Sequence, residues 1–450
     1  MMEVPRLKEV LRAIHNEGGT SYFVGGCVRD ELLGYPSKDV DVEVFGITPQ
    51  HLKKILSRFG EVNEVGSSFG VLMIKGLDID FSQPRTEKKT GEGHQGFEVT
   101  IDPFLPVEDA ARRRDFTINA IMRNALTGEV VDPFGGMEDI KHGIIRHVCD
   151  FSFPEDPLRI LRAAQFAGRF DFRVAPETIE LARNIRRELL SVSRERVFCE
   201  LEKLLLKSEK PSIGLRVLEE IGVLPILFPE LEELRGCPQD PDFHPEGDVW
   251  EHTLLVVDEA AKLKDEASNP LAYMLAALIH DIGKPAVTEE RDGKIIAYGH
   301  DKEGEEIGQV FLDRITNEKN FRKEVLSLVR THMRPFFLFS SGASDKALRK
   351  LSLDANIEDV LLLARADHRG RLGANADEEV EMTSWFRGRI KELSIDQQKV
   401  QPVVTGRDLI ELGLKPGPHF GRILSRAFDL QLEGRNKEEI LLLVRKEFSF

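Results

Sequence analysis

The segment Lys38-Asp39-Val40-Asp41-Val42-Glu43-Val44 alternates apolar and acidic residues strictly. That is the period of a β-strand with one face on a core, so Val40, Val42 and Val44 are expected inward and Asp39, Asp41 and Glu43 on the opposite face. On such a strand the Cα atoms of Asp39 and Asp41 lie about 6.6 Å apart. Two carboxylates that close repel each other unless a cation lies between them. Their oxygens suit Mg²⁺ shared with nucleotide phosphates. Two ions held there would activate an attacking 3′-hydroxyl and stabilise a leaving pyrophosphate. Leu77-Asp78-Ile79-Asp80-Phe81 is a second acidic strand that supplies a third carboxylate. Asp80 is selected, with Asp78, of the same parity, and Glu43 left as alternatives. Taken alone, the 38–44 segment reads rather as a solvated edge strand.

A phosphate-binding turn is expected just upstream. Ser21 to Val24 is a short strand-like run, Gly25-Gly26 follows, and Val28 to Leu33 has the pattern of a helical turn. A glycine pair lets phosphate approach the backbone, and a helix start offers free N–H groups to an anion.

A different donor set lies in the second half. The apolar helix Leu271–Ile279 ends in His280-Asp281, with Gly283 and Lys284 beyond. Glu251-His252-Thr253 precedes it at another helix start, and His300, His332 and Asp367-His368 follow. Neutral imidazoles with carboxylates suit transition metals.

These residues need elements to hold them. The 450 residues are 41% hydrophobic and 31% charged, the balance of globular domains with real cores, and the length suggests about three domains. Residues 1–145 alternate strand and helix signals. Residues 146–235 read as helical and rich in arginine. Residues 236–370 open with a loop rich in Pro, Asp and Gly (Gly236 to Asp248) and continue as helices bearing His and Asp. Residues 371–450 are helical, with a turn at Lys415-Pro-Gly-Pro. The net charge of −15 argues against indiscriminate nucleic-acid binding, yet nine arginines between Arg159 and Arg196 form a local basic patch. No export signal or bilayer-length apolar run is present, and Cys27, Cys149, Cys199 and Cys237 form no CxxC pair, so a cytoplasmic protein with reduced cysteines and no membrane partner is expected.

Phe23-Val-Gly-Gly-Cys-Val-Arg-Asp-Glu-Leu-Leu-Gly34 followed by Lys38-Asp-Val-Asp41 resembles the signature of the class II tRNA nucleotidyltransferase and bacterial poly(A) polymerase family. Arg85-Thr-Glu-Lys-Lys-Thr-Gly91, Arg113-Arg-Asp-Phe-Thr-Ile-Asn-Ala120 and Glu155-Asp-Pro-Leu-Arg-Ile-Leu-Arg162 follow in the family's order. The resemblance implies an α+β fold: a polymerase beta-like nucleotidyltransferase head with a mixed sheet, then all-α neck, HD and tail domains. It implies that Gly25, Gly26, Arg29 and Asp30 shape a triphosphate site. Asp39 and Asp41 would hold catalytic Mg²⁺, and Arg113, Arg114, Asp115 and Asn119 would contact ribose and phosphates. The second donor set resembles the HD phosphohydrolase superfamily, matched by His252, His280, Asp281 and Asp367. His300 and His332 would widen that site to a second ion or orient phosphate. The metal's identity is open, and the implied activity is hydrolysis of 2′,3′-cyclic or terminal phosphates.

Pro154-Glu-Asp-Pro reads as a helix start. Asp156, Arg159 and Arg162 then fall along one face. Cytosine and adenine each offer an amino donor beside a ring-nitrogen acceptor, so an Asp accepting and an Arg donating would take C and A and reject U and G. In the family this motif is the protein template, which assigns Asp156 and Arg159, and less securely Arg162, to base selection. The expected function is addition of CCA from CTP and ATP to the 3′ end of tRNA. A CC-adding or A-adding enzyme or a poly(A) polymerase shares every motif, and an HD phosphohydrolase with an inactive RNA-binding head is the reading from a different class. Val404–Ile410 and Gly413–Ile423 resemble the family's helical C-terminal segment, in which Arg422 and Arg426 would meet phosphates.

Overall fold

In the computed structural model, which describes residues 5–36, 40–65, 70–77, 79–89, 97–395 and 401–448, the alternating valines form the central strand of a seven-stranded mixed sheet. In chain order the strands up to residue 131 are β1 (Thr20–Val24), β2 (Val40–Phe45), β3 (Val62–Val65), β4 (Val71–Ile74), β5 (Ile79–Ser82), β6 (Arg85–Lys89), β7 (Phe97–Ile101), β8 (Met122–Asn124) and β9 (Val130–Val131). The sheet order is β3-β4-β5-β2-β1-β8-β9, and β6 with β7 makes a separate antiparallel hairpin. Strand β2 runs antiparallel to β1 and parallel to β5, so a solvated edge strand is excluded. Val42 and Val44 are fully buried against Leu11 and Ile14 of helix Pro5–Asn16 and Leu52 and Ile55 of helix Pro49–Leu56. Burial of each valine contributes roughly 2 kcal/mol, and a charge at either position would break the sheet's packing.

The other face of the sheet is not open to water as the alternation suggests. Helix Val107–Arg112 and the segment after it cover part of it, packing Ala110 and Ala111 against Val24, Phe45 and Met122. Glu43 is consequently 0% exposed.

The chain divides into two compact units, residues 1–228 and 229–450. In the first, the sheet is followed by helices. Helix Leu158–Phe170 starts behind Pro157, ends at Asp171 in the left-handed conformation, and packs on helices Arg194–Lys207 and Pro211–Ile221. In the second unit, helix Pro270–Ile279 is apolar on every side and is buried accordingly. Helices Val249–Leu263, Lys319–Thr331 and Ile357–Gly370 surround it. Helices Gly406–Glu411, His419–Leu432 and Lys437–Phe448 close the chain around a small core of their own. The fold is α+β, with strands concentrated in the head. Among the described residues no helix is long and apolar enough to cross a membrane. All four cysteines are free.

Candidate active sites

The first site forms where the Gly25 turn, β2 and the Arg113–Asn119 segment meet around a cavity of about 310 Å³ in the first unit. Gly25 has φ 70°, and a Cβ there would lie 3.0 Å from Arg114 Nη1 and 3.8 Å from Asp41 Oδ2. Only glycine takes this backbone shape readily and lets an arginine and an acid approach it so closely. The parallel register of β2 and β5 sets Asp41 opposite Asp80, so their Cα atoms are about 4.8 Å apart. The ladder thus favours Asp80 as the third carboxylate. Asp39 and Asp78 lie outside the described residues.

Glu43 takes a different place. Its carboxylate accepts from Arg113 at 2.8 Å and from Arg114 at 3.4 Å, so its charge is spent on those two guanidiniums rather than offered to a metal. Arg29 is buried as well. It donates to Asp30 and to Asn119 Oδ1 (2.6 Å), and its guanidinium lies over the rings of Phe166 and Phe170. Asp30 also accepts from Arg169 at 3.1 Å. Asn119 in turn donates to Asp115 at 2.9 Å, and Asp115 accepts from Arg162 at 2.6 Å. Burial alone would raise the Asp115 pKa, but the Arg162 and Arg159 charges and the Asn119 amide outweigh it and hold the carboxyl at about 2.

Arg29, Arg114, Arg162, Arg169, Lys203 and Lys207 line the 310 Å³ cavity, against the acids Asp41 and Asp115. A strongly acidic chain therefore builds a locally cationic pocket of the kind a triphosphate needs. Lys203 and Lys207 escaped sequence reading, although their i, i+4 spacing on helix Arg194–Lys207 puts them on one face. A second cavity, of about 720 Å³, shares Gly26, Arg29, Asp41, Arg169 and Lys207 with the first.

The residues expected to select the base are present but engaged. Asp156 accepts from Arg196 at 2.9 Å and from the Leu158 amide at 3.2 Å. Arg159 donates to the carbonyls of Ser152 (2.6 Å) and Arg113 (2.7 Å). Of the three, Arg162 alone lines the 310 Å³ cavity. In the C-terminal segment Arg426 pairs with Glu447 at 2.9 Å, while Arg422 is exposed.

The second site, in the second unit, gathers all six residues singled out by type. His252 Nε2 lies 3.1 Å from Asp367 and 3.8 Å from Asp281. His280 Nε2 lies 3.2 Å from Asp281, His300 Nε2 lies 3.3 Å from it, and His332 Nε2 lies 3.8 Å from it. All six residues are buried. Gly283 makes this convergence possible: a Cβ there would lie 2.3 Å from the His300 carbonyl and 2.4 Å from the Gly304 amide, so only glycine lets the helix at His300 seat against the His280-Asp281 turn.

The imidazoles suit a cation. His280, His300 and His332 each place Nδ1 at 2.7–2.9 Å from the carbonyl three residues earlier, so Nδ1 carries the proton and Nε2 is left as a lone pair. His252 Nδ1 is oriented instead by Glu246 at 2.9 Å. Such partners are those that fix metal-bound imidazoles. His280 Nε2 is buried with no hydrogen-bond partner, an orphaned lone pair that a metal ion would satisfy. The donors form two triads that share Asp281: His252 with His280, and His300 with His332. Sequence reading had not placed His244, Glu246, Lys284 or Arg371 in the site. Lys284 lies 2.7 Å from Asp281, and Arg371 lies 2.7 Å from Asp367. For His244 and Glu246 the one local signal was the His-Pro-Glu-Gly run at 244–247, ahead of the capping Asp248.

Comparison with known proteins now bears on both sites. Residues 21–146 match the family described as "Poly A polymerase head domain". Residues 171–234 match "Probable RNA and SrmB- binding site of polymerase A", and residues 249–372 match "HD domain". The multifunctional CCA protein of Actinobacillus pleuropneumoniae is 37% identical over 378 residues, 81% of this chain and 89% of that protein. Its namesake in Xanthomonas campestris is 35% identical over 418 residues, covering 90% and 96%. Among solved structures, the Bacillus stearothermophilus CCA-adding enzyme in complex with CTP shares the fold, with a TM-score of 0.70 at 24% identity over 100% of this chain and 99% of that one. The Thermotoga maritima CCA-adding enzyme complexed with tRNA-CCA gives 0.60 at 23% identity, over 98% and 94%.

Proposed function

This chain belongs to the multifunctional CCA protein family, and from that premise we infer that it adds C and A nucleotides, drawn from CTP and ATP, to the 3′ end of tRNA in the cytoplasm. Residues 1–145 are assigned as the catalytic head, 146–235 as the base-selecting neck, 236–370 as the HD domain and 371–450 as the tail. One observation carries the chemistry: Asp41 lines both the 310 Å³ and the 720 Å³ cavity and is in register with Asp80. Two substrates can thus reach Asp41 from different sides. The cationic cavity takes the triphosphate, with Arg114, Arg162, Arg169, Lys203 and Lys207 offsetting its charge. The other receives the RNA terminus. Asp41 and Asp80, with Asp39, would hold Mg²⁺, which supplies activation of the 3′-hydroxyl and neutralises the leaving pyrophosphate. Asp156 and Arg159 would read the base edge once released from Arg196 and from the Ser152 and Arg113 carbonyls.

Purified protein, Mg²⁺, tRNA trimmed at its 3′ end, and labelled CTP and ATP test this reading. Ordered incorporation of both nucleotides is expected. Incorporation of C alone, of A alone, or of a long A tract would reassign the chain to a CC-adding, A-adding or poly(A)-synthesising enzyme. Asp156→Ala should relax the choice among the four nucleoside triphosphates more than it slows addition of the correct one, and unchanged selectivity would remove the template role.

The HD set supports a second activity, hydrolysis of 2′,3′-cyclic or terminal phosphates at a damaged RNA end. A divalent transition metal on His252, His280, Asp281 and Asp367 would supply the activated water. Lys284 and Arg371 stand beside the metal-facing carboxylates, where they would meet phosphate oxygens. Hydrolysis of 2′,3′-cyclic AMP that persists at full rate in metal-depleted His280→Ala protein would refute this activity.

A further inference from the structure

The cavity that opens onto the HD carboxylates has two kinds of wall. Its volume is about 380 Å³, and Asp281, His300, His332 and Asp367 line it together with Lys284 and Arg371. Apolar and aromatic side chains also line it, Phe243, Ile296, Tyr298 and Met333 among them, beside the polar Gln239, Asp240, His244 and Thr288. Phe243 is 67% exposed and Tyr298 78% exposed. Large aromatic rings that exposed bury little area against their own fold, so packing does not explain them.

Both rings are tied closely to the metal-facing set. Phe243 immediately precedes His244, whose Nδ1 meets Glu246, and the same Glu246 oxygen orients His252. The turn that carries Phe243 is closed by its own amide and that of His244 on the Asp240 carbonyl, at 3.1 and 2.8 Å. Tyr298 follows Ala297, whose carbonyl fixes His300 Nδ1 at 2.7 Å. The aromatic residues are thus chain neighbours of the groups that orient the hydrolytic set. A hydrolytic set flanked by Lys284 and Arg371, with aromatic rings in the same cavity, suits a nucleotide better than a bare phosphoester.

We propose that Phe243 and Tyr298 form a stacking platform for the nucleobase next to the phosphate this site hydrolyses, so that base-bearing substrates bind more tightly than base-free ones. The inference rests on the hydrolytic reading of this site. In the reaction, water oxygen bonds to phosphorus as one ribose P–O bond breaks, and a water proton passes to that ribose oxygen. The platform takes no part in that step. It fixes the ring that carries the phosphate.

The test uses full-length protein loaded with its metal and compares three substrates: 2′,3′-cyclic AMP, a short RNA ending in a 2′,3′-cyclic phosphate, and glycerol 1,2-cyclic phosphate, which has no base. The Phe243→Ala/Tyr298→Ala variant should raise KM about 5- to 100-fold for the base-bearing substrates, the loss of a base–aromatic stack. Turnover of the glycerol ester and the bound metal content should stay at the parent values. The Tyr298→Phe variant should keep parental KM. The parent's ratio of KM for mononucleotide and RNA identifies which source the platform serves. An equal change on all three substrates, no change on any, or a parent enzyme indifferent to the base would overturn the platform and leave the HD activity standing. A parent enzyme that hydrolyses none of them would bring down the HD reading, and the platform with it.

Discussion

The two metal-facing sites solve the same electrostatic problem in opposite ways. In the first unit, carboxylates stand on neighbouring strands, Asp41 beside Asp80, and the positive charges around them come from arginines and lysines of distant segments. In the second, four buried imidazoles join Asp281 and Asp367, and each imidazole is oriented by a carbonyl or by Glu246. Oxygen-only sets that open into a cationic cavity suit an ion that arrives with phosphates and leaves with pyrophosphate. Nitrogen-rich, pre-oriented sets suit a resident ion. The difference teaches that one site is completed by its substrate and the other by its fold.

The largest expected effect separates them outright. Asp41→Ala should lower nucleotide addition on the order of 10³-fold, several kcal/mol of transition-state stabilisation, and leave hydrolysis of 2′,3′-cyclic AMP intact. His280→Ala should do the reverse. Metal analysis sharpens the contrast. After gel filtration the parent and Asp41→Ala proteins should retain the same transition-metal content, and His280→Ala should retain less. Chelation followed by Mg²⁺ alone should restore addition but not hydrolysis. Loss of both activities in either variant would mean that the sites are not independent.

The next effect concerns how the head braces its charges. Glu43 is fully buried and accepts from both Arg113 and Arg114, so Glu43→Ala should cost about 3 kcal/mol by removing the buried anion that these guanidiniums share. Urea unfolding followed by circular dichroism reads that loss. Tryptophan fluorescence is a built-in control, because Trp250 and Trp385 both belong to the second unit and their transition should not move.

Asp115 gives a smaller, pH-marked effect. Its carboxyl is held at about 2, below its ordinary value of 3.8. A depressed carboxyl adds stability that is fully present above the unfolded pKa and is lost as pH falls through the folded one. Asp115→Asn should therefore lower the stability of the first unit by about 2 kcal/mol at pH 7, and by about half as much at pH 3. A deficit that stays constant between those pH values would show that the Arg162 pair, and not the lost hydrogen-bond geometry, is the wrong explanation.

What the sequence made legible follows from how each site is built. The HD donors could be found by residue type, because buried histidines beside aspartates have few structural uses and all six converge. The Asp41–Asp80 pair was legible through parity, since a period of two dictates which side chains share a face. Glu43 has that same parity yet proved to be an ion-pair partner, because its role depends on Arg113 and Arg114, seventy residues downstream. The aromatic residues at the HD cavity and Lys203 with Lys207 were missed for a related reason: they lie in no motif, and folding alone brings them to their cavities. The engagement of Asp156 and Arg159 was equally invisible, since a helix-face argument counts spacing and not competitors.

That competition yields the smallest effect. Arg196 and Asp156 are 26% and 32% exposed at their side chains, and an ion pair so open to water stabilises by less than about 1 kcal/mol. Arg196→Ala should therefore leave unfolding nearly unchanged. If the pair merely decorates the surface, nucleotide kinetics should be unchanged as well. If it holds the base-reading carboxylate away from a base, its removal frees Asp156, and KM for CTP and ATP should fall by up to about fivefold with selectivity preserved. A rise in KM would point to a third arrangement, in which Arg196 orients Asp156 toward the base edge. In the HD site the orienting groups can only help, because they hold lone pairs toward a single position. In the neck the same kind of contact opposes binding or guides it according to which state it favours, and the direction of the KM change decides between them.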